Sequence, residues 1–269
     1  MIKTNYHTHT KRCGHAVGSD EEYVKCAIEA GLKTLGFSDH APYNLPDPKH
    51  RMDISEFSEY VNSIRLLKDK YKDYIDIYVG LEVECYISEW ETLSMFRETL
   101  DYCILGQHGL GLEEKRVYHD ITEENLMKYV DLLEYACEHS LCDYICHPDV
   151  ILWTYPRIDE AVKKMAKRIA ELSIHYNMPL ELNCGSGAIR GFRQFEDGYR
   201  LGYPDRTCFE IFSEYQCPII IGIDAHNPLW FLTDEYLNRS LSVVEGLHLN
   251  ILTDYDLIKD AKERKKKFY

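Results

Sequence analysis

The chain has 269 residues, of which 45% are hydrophobic and 12% aromatic, so it can bury a sizeable core. Its formal net charge of -14 argues against a surface that coats nucleic acid and against a polybasic membrane patch. The N-terminus MIKTNYHTHT has no apolar signal-peptide core, and no apolar run approaches the length of a membrane span.

Strand-like and helix-like segments alternate along the chain. The predicted strands are Lys3–Tyr6, Thr34–Ser38, Ile75–Leu81, Tyr102–Gln107, Asp143–Cys146, Pro179–Leu182 and Pro218–Ile223. The predicted helices are Ser19–Gly31, Ser55–Lys72, Ser88–Leu100, Thr122–His139, Ile158–Tyr176, Asp205–Tyr215 and a C-terminal tail ending in basic residues. This alternation predicts βαβ units with a parallel sheet, seven units in all, in one domain spanning residues 1–269.

Nearly every predicted strand runs into a side chain that can bind a metal ion. These side chains are His7, His9 and His15 after the first strand, His40 after the second, then Glu82, His108, His147, and Asp224 with His226. In a closed parallel βα architecture the carboxyl ends of all strands open onto one face, so these residues converge. Imidazole and carboxylate ligands together select Zn, Mn or Fe rather than Ca. The pattern therefore predicts a multinuclear metal site.

Parity along the strands refines these candidates. His7 and His9 are two residues apart and point to the same side, which suits two ligands of one ion. Glu82 is the first choice for a carboxylate that bridges two ions, and Glu84 is the second choice by the same parity. Asp39 and Asp149 neighbour candidate histidines and could orient their rings, and Asn183 ends the sixth strand.

Two long loops follow predicted strands on this face, Ala41–Asp53 and Cys184–Pro204, where specificity is usually built. The ten cysteines are scattered without a CxxC pair, which indicates reduced thiols in a cytoplasmic protein. Cys26, Cys103 and Cys146 lie in apolar patterns and are interpreted as small buried hydrophobes. Cys13, close to His15, is left open as a possible metal contact.

These motifs resemble the PHP (polymerase and histidinol phosphatase) superfamily. The resemblance rests on His7-Thr8-His9, Ser38-Asp39-His40, Gly80-Leu81-Glu82, Gly106-Gln107-His108, Cys146-His147-Pro148 and Gly222-Ile223-Asp224-Ala225-His226. It implies a distorted (βα)7 barrel, TIM-like, with three divalent transition-metal ions (Zn, Mn or Fe). The implied ligand sets are His7, His9, Glu82 and Asp224 for one ion, Glu82, His108 and His147 for a second, and His15, His40 and His226 for a third.

Within the superfamily the chain looks most similar to the histidinol-phosphate phosphatases. That likeness implies a metal-dependent phosphomonoesterase that hydrolyses L-histidinol phosphate through a metal-bridging hydroxide, as a step of histidine biosynthesis. Arg190 and Arg193 on the sixth loop are the candidate phosphate-binding cations, with Arg157 as a third. The expected partner is a small phosphorylated substrate, with neither a membrane nor nucleic acid involved.

Two other enzyme classes stay open. A PHP-type phosphodiesterase or nuclease acting on nucleotides or nucleic-acid ends would use aromatic stacking at the mouth, for which Tyr43, Tyr118 and Trp153 are available. A metal-dependent amide hydrolase would usually place a carboxylated Lys at a strand end, and no predicted strand here ends in Lys.

Overall fold

The computed structural model of the chain describes residues 2–44, 50–112 and 117–268. These residues contain an eight-stranded parallel sheet that curls into an open barrel with helices outside it. Two further strands, β7 and β8, form a separate hairpin. The barrel strands, in spatial order, are Thr4–Asn5 (β1), Thr34–His40 (β2), Asp76–Val83 (β3), Tyr102–Leu105 (β4), Tyr144–Ile145 (β5), Leu180–Asn183 (β6), Pro218–Gly222 (β9) and Asn250–Ile251 (β10); the hairpin strands are Arg193–Phe195 (β7) and Gly198–Arg200 (β8). All seven predicted strands are present, and the predicted α/β barrel is confirmed.

The barrel is closed only at the carboxyl end of its strands. There Thr8 forms an isolated parallel bridge with Ala225, and the side chain of Asn5 accepts a hydrogen bond from the backbone N–H of Ile223 at 2.8 Å. Toward the other end β9 pairs with the short edge strand β10 instead of β1. The first and last candidate ligand segments are therefore fixed against each other directly at the mouth.

Helices connect the strands, as the periodicity predicts. They span Asp20–Glu29 (α1), Phe57–Tyr71 (α2), Trp90–Thr99 (α3), Glu123–Glu138 (α4), Glu160–His175 (α5), Ser186–Arg190 (α6), Arg206–Glu214 (α7), Glu235–Val243 (α8) and Leu257–Lys265 (α9). Capping boxes at Ser19–Glu22 and Thr122–Asn125 explain where α1 and α4 begin, because each supplies acceptors for N–H groups that the first turn leaves free.

The loop Cys184–Pro204 is more ordered than a loop prediction implies. It contains the short helix α6 and the antiparallel hairpin of β7 and β8. The helix α8 and the strand β10 were also not predicted. These elements are short, so their hydrophobic periodicity is too weak to read from sequence. Part of the other long loop, positions 45–49 of Ala41–Asp53, lies outside the described residues.

Tyr102 fills the centre of the barrel. Its ring is fully buried, and its hydroxyl lies within hydrogen-bonding distance of the backbone carbonyls of Tyr6 and Phe37, at 2.8 and 2.9 Å. Gly36 and Gly80 face this ring, and a side chain at either position would overlap it. The small residues inside two strands therefore make room for one large side chain, as close packing requires.

A buried ion pair joins α3 to the start of β5. Both terminal guanidinium nitrogens of Arg97 contact the carboxylate of Asp143, at 2.5 and 2.7 Å, and neither side chain is exposed by more than 1%. Asp143 also accepts the backbone N–H of Cys103 on β4 at 2.9 Å. The pair thus ties a helix to two adjacent strands below the mouth.

All ten cysteines are free thiols, in agreement with the sequence interpretation. Cys103 and Cys146 are fully buried, whereas Cys26 is half-buried. Among the described residues, no helix combines the length and the apolar character needed to cross a bilayer.

We predict that Asp143→Ala lowers the free energy of unfolding by about 3–5 kcal/mol, because it leaves the charge of Arg97 buried without a partner. Urea denaturation of the metal-free protein measures this. The control is Asp131→Ala, which removes an exposed partner of Arg168 on α5 and should cost no more than about 1 kcal/mol. Equal losses for the two variants would contradict the importance of the buried pair.

Candidate metal centre

The nine predicted metal ligands meet in one pocket at the mouth of the barrel. Seven of them are buried, His40 is half-buried and His15 is exposed. They come from the carboxyl ends of six different strands, β1 to β5 and β9, or from the residues that follow them. Parallel strands thus bring together residues as far apart in sequence as His15 and His226, which are separated by 211 positions.

Glu82 lies at the centre of this pocket. One of its oxygens, Oε1, is 2.7 Å from Nε2 of His147 and 3.6 Å from Nε2 of His108. The other, Oε2, is 2.8 Å from Nδ1 of His40 and 3.6 Å from Nε2 of His9. Gly106, which follows the neighbouring strand, makes this possible, because a Cβ there would overlap the Glu82 carboxylate. The carboxylate is placed to contact ions on both sides.

Glu84, the second choice for the bridge, faces elsewhere. Its carboxylate binds the guanidinium of Arg51 at 2.8 Å, and its other oxygen is 3.6 Å from Nδ1 of His108. It therefore supports a histidine of the pocket from outside and does not occupy the centre.

His7, His9 and Asp224 form the deepest part of the pocket. The Nε2 atoms of the two histidines are 3.1 Å apart, and both lie near the same oxygen of Asp224, at 3.4 and 3.1 Å. None of the three residues is more than 4% exposed. These three residues belong to the first predicted ligand set. Glu82, its fourth member, has one oxygen 3.8 Å from Nε2 of His7 and the other 3.6 Å from Nε2 of His9.

His15, His40 and His226 group at the open side of the pocket. Nε2 of His15 is 3.0 Å from Nε2 of His226, and the rings of His15 and His40 stack with centroids 5.3 Å apart. This is the third predicted set, and the exposure of His15 shows that solvent reaches the set from this side.

The outer ring nitrogens of four histidines are held by acceptors. Nδ1 of His7 donates to the carboxylate of Glu181 at 2.9 Å, and Nδ1 of His9 donates to the carboxylate of Asp39 at 3.4 Å. Nδ1 of His15 donates to the backbone carbonyl of Cys13 at 2.9 Å, and Nδ1 of His226 donates to that of Asp224 at 3.1 Å. A proton fixed on Nδ1 leaves the lone pair of Nε2 directed into the pocket.

Pairs of unprotonated ring nitrogens about 3 Å apart repel each other unless a cation lies between them. Ligands about 2.0–2.1 Å from a tetrahedral zinc ion are separated by about this distance. The donor set thus fits divalent metal ions, and this is the chemistry for which the residues are arranged.

Two of the candidate ligands have backbone conformations that L residues rarely adopt. His147 has φ 31° and Asp224 has φ 50°. Such strain persists only where surrounding contacts hold it, and it is concentrated at functional sites. Gly185 contributes here, since a Cβ at that position would overlap the Asp224 carboxylate.

The charges of the pocket perturb its titrating groups strongly. Burial alone would raise the pKa of Glu82, but the imidazoles of His108 and His40 outweigh it and hold this pKa well below its usual value. Burial and the charge of His9 lower the pKa of His226 to about 3. Burial is outweighed at His9 by hydrogen bonds to Asp224 and Asp39, which raise its pKa to about 9. The Glu82 carboxylate therefore stays ionised among the imidazoles, and bound cations would compensate its negative charge.

The predicted supporting residues have different positions. Asp39 accepts from the backbone N–H groups of Thr10 and His40 as well as from the His9 ring. Asn183 donates to the carboxylates of Glu181 and, at 3.4 Å, Asp224. Asp149 accepts the backbone N–H of Asp205 instead of an imidazole, and burial raises its pKa to about 7.

Sequence reasoning missed two residues of the centre. Glu181 holds the ring of His7, and the thiol of Cys146 donates to Glu82 at 3.4 Å. Cys13, which the sequence analysis left open as a metal contact, has its sulfur within 4.8 Å of ring nitrogens of His9 and His226, close enough to share an ion with them. The signal for Glu181 was a charged residue inside an apolar strand, because an acid is rarely buried unless it is paired.

Two of the three predicted arginines, Arg190 and Arg193, lie against aromatic rings beside the pocket. Trp153 contacts Tyr203, which contacts His147, with centroid distances of 5.8 Å in both pairs. The guanidinium of Arg193 lies 3.9 Å from the Trp153 ring and that of Arg190 lies 5.1 Å from it.

The three arginines differ in how they are engaged. Nε and Nη2 of Arg193 are buried and have no hydrogen-bond partner within the described ranges. Arg190 is exposed. Arg157 is also exposed and pairs with Asp159 and Glu196 at 3.4 and 3.3 Å. Arg157 is thus paired with acids, whereas Arg193 and Arg190 lie against the ring of Trp153.

Comparisons with known proteins agree with this geometry. The chain is 28% identical over 243 residues to a probable histidinol-phosphatase of Deinococcus radiodurans, covering 82% of this chain and 85% of the relative. It is 27% identical over 274 residues to a probable histidinol-phosphatase of Schizosaccharomyces pombe, covering 89% and 88%.

A solved structure shares the fold. The histidinol phosphate phosphatase of Lactococcus lactis, complexed with zinc, L-histidinol and phosphate, superimposes with a TM-score of 0.67 at 16% identity, over 96% of this chain and 98% of that one. The family model of the PHP domain matches residues 5–185, which contain seven of the nine candidate ligands. The chain therefore belongs to the PHP domain family.

Proposed function

We propose that this protein is a metal-dependent phosphomonoesterase that hydrolyses L-histidinol phosphate to L-histidinol and phosphate. The observation that carries the proposal is Glu82, a buried carboxylate with imidazole nitrogens from four other segments within 3.6 Å of its two oxygens. The substrate is inferred from the relatives, because two that align along most of their length are named as probable histidinol-phosphatases.

The proposal includes three divalent transition-metal ions. His7, His9, Glu82 and Asp224 would hold the first, Glu82, His108 and His147 the second, and His15, His40 and His226 the third. Zn, Mn and Fe suit these ligands. Bound in this way, the ions would polarise the phosphoryl group and supply a water that is deprotonated near neutral pH.

The residues of the chain would prepare the reaction around this centre. Glu82 balances the positive charge of the pocket and keeps it compact. The supporting acceptors hold the imidazole rings so that little reorganisation is needed during the reaction. The exposed His15 side leaves an entrance, so a phosphate monoester approaches the centre from solvent.

Arg193 and Arg190 would bind the phosphoryl oxygens. A guanidinium fork matches the geometry of phosphate and contributes most where charge develops in the transition state. The unpartnered nitrogens of Arg193, found so within the described part of the chain, support this role, and its stacking on Trp153 would hold the fork in place. Burial lowers the pKa of Arg193, and the charges of Arg200 and Arg190 lower it further, so an anion bound among these groups would be favoured.

We also propose that residues 1–269 work as one catalytic domain. The sheet is continuous through the described residues. The C-terminal helix α9 packs against β4, and its Lys265 donates to the carbonyls of Glu98 and Leu100 at the end of α3. The ten free thiols support the further proposal of a reducing, cytoplasmic compartment.

We expect about three transition-metal ions per chain after reconstitution, because each of the three ligand sets would hold one ion, with Glu82 shared between two of them. Elemental analysis of protein freed of loosely bound metal measures this. A content of one ion or fewer would contradict the trinuclear proposal, whatever the activity of the sample.

Glu82→Gln should lower turnover by at least about a hundredfold while the fold is retained, because the amide keeps the shape and removes the bridging charge. Steady-state kinetics with histidinol phosphate, circular dichroism and metal content together measure this. Near-normal turnover would show that the centre works without a bridging carboxylate at this position.

Arg193→Ala and Arg190→Ala should each lower kcat/KM for histidinol phosphate by about 30- to 1000-fold, equivalent to about 2–4 kcal/mol, without changing metal content. Lysine at either position should recover only part of the loss, since it lacks the planar fork. Arg168→Ala on the outer surface of α5 is the control. If both variants are silent and Arg157→Ala is not, the phosphate contact is misassigned.

A further inference from the structure

Two strands of the barrel, β6 and the short edge strand β10, supply none of the nine candidate ligands. β6 ends in Glu181-Leu182-Asn183, and both polar residues point into the mouth beneath the ligands of neighbouring strands. Glu181 is completely buried. A carboxylate in such a place costs several kcal/mol unless its oxygens are fully engaged.

Both oxygens of Glu181 are engaged by residues of the centre. Nδ1 of His7 is 2.9 Å from Oε1 and 3.2 Å from Oε2, and Oε1 is also 3.4 Å from the hydroxyl of Tyr144. Oε2 accepts the backbone N–H of His147 at 3.0 Å and the side-chain amide of Asn183 at 2.8 Å. Gly222 on β9 leaves the space, since a Cβ there would overlap Oε1.

We infer that Glu181 is a positioning residue that fixes the proton of His7 on Nδ1 and braces His147, and so sets the affinity of the innermost metal position. This rests on the proposed metal-dependent function. A carboxylate only accepts hydrogen bonds, so the His7 ring must present N–H to it and an unprotonated Nε2 to the pocket. The same carboxylate holds the backbone of His147 at its unusual φ of 31°.

Glutamine in place of Glu181 would move the His7 proton from one ring nitrogen to the other without changing the shape of the strand. Besides Nδ1 of His7, Oε2 faces two N–H donors, so the amide oxygen of the introduced side chain would take that place. Its NH₂ group would then take the place of Oε1, which has the shorter contact with Nδ1 of His7. The NH₂ group donates, so Nδ1 would become the acceptor and the proton would move to Nε2, toward the metal. One ligand of the innermost ion would thereby be lost.

The test measures zinc affinity, not activity. Zinc dissociation constants of wild type, Glu181→Gln and Asp205→Asn are determined by competition with a chromophoric chelator. We expect one ion to bind about 10- to 100-fold more weakly in Glu181→Gln, the range usual for loss of such a partner, and the others to bind as in wild type. Asp205→Asn is the matched control, because it changes a buried carboxylate that caps α7 and asparagine caps equally well.

A second measurement needs no variant. In the zinc-loaded wild type, nitrogen-resolved NMR should show the His7 ring proton on Nδ1. Unchanged zinc affinity in Glu181→Gln, or a wild-type His7 without a proton on Nδ1, would overturn the inference. If Glu181→Gln does not fold, the NMR result alone decides.

Failure of the proposed function would look different. A wild-type protein that binds zinc and loses affinity in Glu181→Gln, but releases no phosphate from histidinol phosphate, would contradict the substrate and leave the role of Glu181 intact.

Discussion

The burial of Glu82 among imidazoles is the constraint on which the rest of the mouth depends. A carboxylate that is 2% exposed must be compensated, and the compensating groups here are ring nitrogens that themselves carry little free charge when they act as ligands. Bound cations resolve this conflict. They let the imidazoles remain neutral and the carboxylates ionised, and they replace repulsion between nitrogens 3.0–3.1 Å apart with attraction to a shared ion.

The same constraint explains the glycines at the mouth. Gly106 and Gly185 lie where a Cβ would overlap the carboxylates of Glu82 and Asp224. These positions permit acids on neighbouring strands to approach the axis of the barrel. Large side chains such as Tyr102 then fill the space beneath them, so the centre rests on a packed floor.

The pocket is graded from a rigid interior to an open rim. The innermost residues are locked by a layer of acceptors, including Asp39 and Glu181, and by two strained backbone positions. Toward solvent, His15 is exposed, and Arg193 of β7 and Arg190 of α6 lie against the ring of Trp153. A metal site of this kind holds its ions firmly while leaving room for small substrates to enter and leave.

The sequence by itself determined the seven principal strands, most of the helices and all nine candidate ligands. It did so because period-two and period-3.6 patterns are local, and because a polar residue such as His108 or His147 directly after an apolar strand is visible in the chain. The free state of the cysteines also followed from their spacing.

Only the tertiary structure decided how these residues are used. Glu82 and Glu84 share parity, and the buried ion pair of Glu84 with Arg51 distinguishes them. The sequence ranked Arg157 behind Arg193 as a phosphate-binding candidate, but only the structure shows Glu196 beside Arg157 and Trp153 beside Arg193. Glu181 meets His7 across 174 positions, and no local pattern encodes such a contact, because it arises from strands that become neighbours only when the barrel forms.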